Sequence, residues 1–175
     1  MVAALLSLAD APLLTEAPIE SQLRIVIHVL IAVILGAFTG IERRRADKPA
    51  GTRTHALVAG AAALTTGVSI AAVESFGAGD PTRGIHAVIT GIGFLGAGAI
   101  LHPRSGAQSP TGLTTAASIF YTACVGIAVA TGYTLTAVLA TLLSFALLRL
   151  VGKWRHRHEG GASRSDAADL GLSDS

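Results

Sequence analysis

Three carboxylates stand beside long apolar runs in this chain: Glu42, Glu74 and Asp80. Hard divalent cations are held by carboxylate oxygens, so these three are the weak candidate metal ligands. Chain order places Glu42 at one face of an apolar layer and Glu74 and Asp80 at the other, which argues against a single site within one copy. His28 and His86 lack a ligating partner three or four residues on, so no zinc site is expected. The single cysteine, Cys124, excludes an internal disulfide and a multi-cysteine metal site. No paired interior carboxylates, Ser/His/Asp set or Cys/His pair occurs, so the chain reads as a non-enzyme without a cofactor.

The stretch "TGIGFLGAGAI" contains a literal G-x-G-x-x-G at Gly91, Gly93 and Gly96. A dinucleotide loop needs a preceding strand, a helix start under the pyrophosphate and an acid about 20 residues on. Here the motif lies inside an apolar run, and no Asp or Glu occurs between Asp80 and Glu159. Nucleotide binding is therefore excluded. Helical geometry accounts for the pattern better. Gly84, Gly91 and Gly98 recur every seven residues, and Gly93 and Gly96 lie broadly opposite them. Two small-residue faces allow neighbouring membrane helices to approach on both sides. A broken helix lining an ion path is the alternative. Gly36 and Gly40 form a G-x-x-x-G, which reads as another helix contact.

Other polar groups sit at the ends of the apolar runs. In "GDPTRG", Asp80 reads as an N-cap and Pro81 as the first helical position. Capping leaves Arg83 unexplained, because a cation is disfavoured at the positive end of a helix dipole. Arg83 is expected to pair with Glu74 or Asp80, or to meet an anion. In "GIERRRADKPAGTRTH" the returning chain brings Glu42 towards Arg53, and such a pair would pin two helices or, alternatively, serve docking of a cytoplasmic surface or gating. Thr114, Ser118 and Thr122 form a hydroxyl stripe at i, i+4 and i+8. Hydroxyls of that kind bond carbonyls of their own helix or a neighbour, or else line a narrow path.

These residues must be positioned by membrane helices. Of the 175 residues, 51% are hydrophobic and 14% charged, and the mean hydropathy is +0.60. Apolar runs cover about 23–41, 54–76, 84–101, 113–131 and 133–151. Each matches the roughly 20 helical residues that a bilayer core requires. Open strands would leave edge groups unpaired in lipid, so the fold class is all-α: a polytopic bundle of five transmembrane helices. Eleven of the thirteen Lys and Arg residues lie at 43–53, 104 and 149–164. Placing them in the cytoplasm puts the N-terminus outside and the C-terminus inside. Residues 1–22 then read as a short external segment rather than a leader, and 152–175 as a basic, then disordered tail. Basic clusters beside apolar helices touch anionic lipid, and no soluble basic face suited to nucleic acid is visible. The first and fifth runs are bulky and aliphatic, suited to lipid, whereas the Gly-rich third is expected near the bundle centre.

Taken in order, "GAFTGIERRRADKPAGTRTHALVAGAAAL", "DPTRG", "TGIGFLGAGAIL" and "GLTTAASIF" closely resemble the MgtC/SapB family of bacterial inner-membrane proteins, over about 36–130. The resemblance implies a protein linked to growth at low magnesium. It also implies regulation of other membrane proteins, ATP synthase among them, with magnesium transport as the older reading. Signature positions are Glu42, Arg43, Arg53, Thr54, Asp80, Arg83, Gly91, Gly93, Gly96, Gly98, Gly112, Thr114 and Thr115. Virulence-type members carry a folded cytoplasmic domain after the last span, and Phe120 stands where the family often has Trp. The chain therefore resembles a short, SapB-like member. The expected function is a non-enzymatic regulator that contacts the bilayer and a partner membrane protein, with homo-oligomerisation through the same small faces also open; the alternative is a transporter or channel for magnesium or another ion.

Overall fold

The computed structural model describes residues 17–101 and 112–150. Over these the chain forms five helices: α1 (Ile19–Arg45), α2 (Thr52–Phe76), α3 (Thr82–Leu101), α4 (Leu113–Ala130) and α5 (Thr134–Leu150). No strand occurs among the described residues. The first four helices are long and apolar enough to cross a membrane, and α5 is a shorter apolar helix. The protein is thus an all-helical membrane protein, as the apolar runs and their lengths indicate.

The helix ends follow from local chemistry. α1 begins after Pro18, has Glu20 in its first turn and finishes on Arg43, Arg44 and Arg45, charges that complement its dipole at both ends. It runs four residues past the apolar segment, so Glu42 and Arg43 are helical rather than part of a loop. α2 stops at Gly77, whose left-handed φ of 64° lets its N–H return to the Val73 carbonyl. Asp80 caps α3: its Oδ1 accepts the Thr82 N–H at 2.9 Å and the Thr82 hydroxyl at 2.7 Å.

Packing relies on small residues. Ala32, Ala59, Ala63 and Ala137 join Val125 and Val129 in one core cluster, and Ala62, Ala123, Ile92 and Ile119 form a second. The Gly36/Gly40 pair presses α1 onto α2. A Cβ at Gly36 would collide with the His55 carbonyl oxygen, and one at Gly40 would lie 2.8 Å from the Gly51 oxygen. Gly126 of α4 meets the Ala59 carbonyl of α2 in the same manner. Close backbone approach of this kind is how membrane helices gain dispersion energy without a hydrophobic drive between them. Leu23, Val26, Ile27, Leu30 and Ile34 of α1, and Leu135, Leu139, Leu142, Leu143 and Leu147 of α5, remain exposed as the lipid-facing stripes.

One expectation is corrected. α3 is not central: it packs on α2 and α4 but not on α1, and only 11% of its apolar window is buried. The central pair is α2 and α4, each of which touches α1, α3 and the other. Glycine content gave α3 the appearance of an interior helix, yet burial depends on which neighbours the connections allow.

Candidate functional site

The basic end of the bundle gathers most of the buried polar side chains. Glu42 and Arg43 are both buried, with 6% and 3% exposure. Glu42 Oε2 accepts from Arg43 Nε and Nη2, each at 2.6 Å. Arg43 Nη1 is buried with no hydrogen-bond partner among the described residues. Beside them lies His55, on the first turn of α2 and fully buried. Its Nδ1 donates to the Gly51 carbonyl at 2.9 Å, and its Nε2 lies 3.2 Å from Ser118 Oγ on α4. The Ser118 hydroxyl is also 2.8 Å from the Thr115 carbonyl. Burying a charge is expensive unless it is paired, so the cluster is unusual for a bundle of alanines and glycines.

Two neighbouring spaces bound this junction. One, of about 390 Å³, is lined by Arg44, Gly51, Thr52, Arg53 and Thr54 at the start of α2. The other, of about 250 Å³, lies between α1, α4 and α5, with Thr39, Thr114, Ser118 and Ser144 among its walls.

The sequence-derived candidates separate into groups. Arg53 and Thr54 are exposed, and no Glu42–Arg53 ion pair forms among the described residues. The expected pin between α1 and α2 is replaced by the Glu42–Arg43 pair within α1. At the opposite end Asp80 and Arg83 are exposed, and no ion pair of Arg83 with Glu74 or Asp80 occurs among the described residues. The Thr82 hydroxyl and N–H hold the Asp80 carboxyl below the usual aspartate range. Glu74 instead lines a small cavity of about 50 Å³ with Arg24 and His28. No group of three His, Cys, Asp or Glu that could hold a metal occurs among the described residues.

The hydroxyl stripe is split. Thr114 is exposed, whereas Thr115, Ser118 and Thr122 are buried. Thr122 donates to the Ser118 carbonyl at 2.8 Å, and Thr39 and Thr141 likewise bond their own helices. These bonds fit the helix-internal reading rather than a continuous path. A Cβ added at Gly84 would lie 2.6 Å from the Ser69 Cβ of α2, and one added at Gly96 would lie 3.7 Å from the Ala116 Cβ of α4. Gly91, Gly93 and Gly98 are exposed. Two of the five α3 glycines thus pack inside this chain, Gly84 against α2 and Gly96 against α4, one from each of the two small-residue faces. Gly91 borders an apolar groove of about 330 Å³ between α2 and α3. Gly112 has a φ of 96° and would meet the Ala99 carbonyl oxygen if it carried a Cβ, so its place at the α4 N-cap is set by backbone geometry.

His55 escaped the sequence reading, although a signal was present. His55, Ala59, Ala62, Ala63 and Thr66 share the small-residue face of α2. A helix that buries that face must bury the histidine with it.

Comparison with known proteins agrees with the signature motifs. The sequence profile of the MgtC family matches residues 29–157. An uncharacterized protein of Haemophilus influenzae is 44% identical over 74% of this chain and 57% of its own length. SrpB of Synechococcus elongatus is 41% identical over 71% of this chain and 72% of its own. YhiD of Escherichia coli K12, described as a candidate magnesium transporter, is 34% identical over 71% of this chain and 59% of its own. The chain thus spans little more than half the length of the first and third of these relatives. No solved structure matches the chain. On the family profile and the extent of these alignments, the chain belongs to the MgtC family.

Proposed function

We propose that the protein is a non-enzymatic regulator in the bacterial inner membrane, with its N-terminus outside and its basic end in the cytoplasm. In this reading α3 packs against a partner membrane protein when magnesium is limiting. The observation that carries it is α3 itself, a spanning helix left largely bare with Gly91 and Gly93 on its exposed surface. A glycine costs roughly 1 kcal/mol against alanine in a water-soluble helix. Facing lipid, it gains nothing in return, whereas against a second helix it allows close approach.

A photo-crosslinking residue at Phe94, exposed beside Gly93 on α3, compared with one at Leu139 on the lipid-facing stripe of α5, tests this reading in native membranes. A discrete protein adduct from position 94 alone is the expected result. A product of twice the chain mass would make the partner a second copy. Adducts with lipid only, at both positions, would remove the basis for the proposal.

The second reading is transport of magnesium or another ion, favoured by the buried polar junction and by the description of YhiD. Against it, Glu42 is committed to Arg43, and Glu74 and Asp80 are exposed at the other end. Flux into sealed proteoliposomes holding a magnesium-sensitive dye, lost on Glu42→Gln or Asp80→Asn, would promote this reading. No flux from folded protein would retire it.

A further inference from the structure

The hydrogens around His55 can be counted. The Gly51 carbonyl only accepts, so Nδ1, at 2.9 Å, carries a hydrogen. The Ser118 hydroxyl has one proton and two acceptors within reach, the Thr115 carbonyl at 2.8 Å and His55 Nε2 at 3.2 Å. With a neutral ring, that proton goes to Nε2. With a protonated ring, Nε2 donates to Ser118 Oγ and the hydroxyl turns to Thr115. Both states keep every ring nitrogen bonded, so a proton can be gained or lost without stranding a buried group.

The charge balance differs sharply between the two states. Among the described residues, the charges acting on the ring are Glu42 and Arg43 of α1; α4 presents the neutral Thr115 and Ser118; Arg53, on α2 itself, is exposed. While the ring is neutral, Glu42 and Arg43 cancel. A proton on His55 leaves two cations to one carboxylate, whose Oε2 already serves two Arg43 nitrogens. Arg43 Nη1 has no acceptor among the described residues. Like charges repel far more strongly at low dielectric than in water, so this state draws in water. Gly51, whose carbonyl holds the ring, also lines the polar space at the start of α2.

We propose that His55 is a proton-binding site that sets how tightly α1 closes on α2 and α4, with the neutral ring closing the junction and protonation opening it to water. The proposal does not depend on the partner reading and is tested on the purified chain.

The full chain, with ¹⁵N-labelled histidine, is placed in nanodiscs of zwitterionic lipid and titrated from about pH 8 to about pH 5, the span in which histidine changes charge. Comparison with His55→Gln assigns the signal. The expected result is an Nδ1–H neutral ring that becomes an imidazolium on acidification. In the same pH range, amide protection at 36–40 and 51–55, corrected for intrinsic exchange, falls by about tenfold or more. In His55→Gln that protection stays level with pH. A ring that remains neutral throughout, or one that titrates while protection stays constant, overturns the proposal. If His55→Gln does not fold, the two readings on the unaltered chain still decide, with Ser118→Ala providing the assignment.

Discussion

The imidazole of His55 reaches across the α2–α4 interface to Ser118, with Nε2 3.2 Å from the hydroxyl oxygen, and joins two residues that are 63 positions apart in the chain. Ser118→Ala removes this contact and leaves a buried ring nitrogen without a partner. An unsatisfied buried polar group costs about 1–3 kcal/mol. Unfolding in a graded detergent mixture should show a loss of that size, and Ser118→Thr, which keeps the hydroxyl, should recover part of it.

Glu42 and Arg43 should behave as a unit. Breaking a buried pair from one side costs about 3–5 kcal/mol, because the survivor is a lone buried charge. Glu42→Gln and Arg43→Gln should each lower the folded yield severely, and the double variant should be less damaged than either single one. Purified yield of monodisperse protein in mild detergent reads this directly. Additive losses would mean that the two side chains do not share one interaction.

The glycines should separate by location. Gly36→Val and Gly126→Val would drive methyl groups into backbone carbonyls of α2, an overpacking cost of about 1–3 kcal/mol or more. Gly91→Val and Gly93→Val lie on exposed positions and should leave thermal stability close to unchanged while abolishing the crosslink from α3. Stability loss at Gly93 equal to that at Gly126 would show that α3 packs differently from the arrangement described.

Acid should act on α3 through its cap. The Asp80 carboxyl lies below its ordinary range because the ionised form accepts two bonds from Thr82. A carboxyl lowered on folding contributes stability above its unfolded range and loses it as pH falls through the folded one. Amide exchange at 82–85 should therefore accelerate only in strong acid. Asp80→Asn, still able to accept, should keep the neutral-pH protection and lose the acid response, whereas Asp80→Ala should weaken α3 at every pH.

Much of this architecture is written in residue order. The apolar runs, the Gly36/Gly40 contact, the Asp80 cap and the family signature are local patterns, and local patterns survive in a one-dimensional reading. Helix length follows from bilayer thickness and the cap from side-chain reach, so neither requires knowledge of a neighbour. The Glu42–Arg53 pin was not legible, because loop return fixes only approximate proximity. Two side chains 11 residues apart pair only if their helices present them to the same side, and Arg53 is exposed while Glu42 is buried.

The sequence by itself determined that this is an all-helical membrane protein of the MgtC type, with basic residues concentrated at one end. Only the tertiary structure decided which glycines pack and which stay bare, and that His55 rather than Arg53 lies beside the Glu42–Arg43 pair. The reason is geometric. Composition states what a helix face can tolerate, but rotation about each helix axis, set jointly by all the neighbours, determines what that face meets.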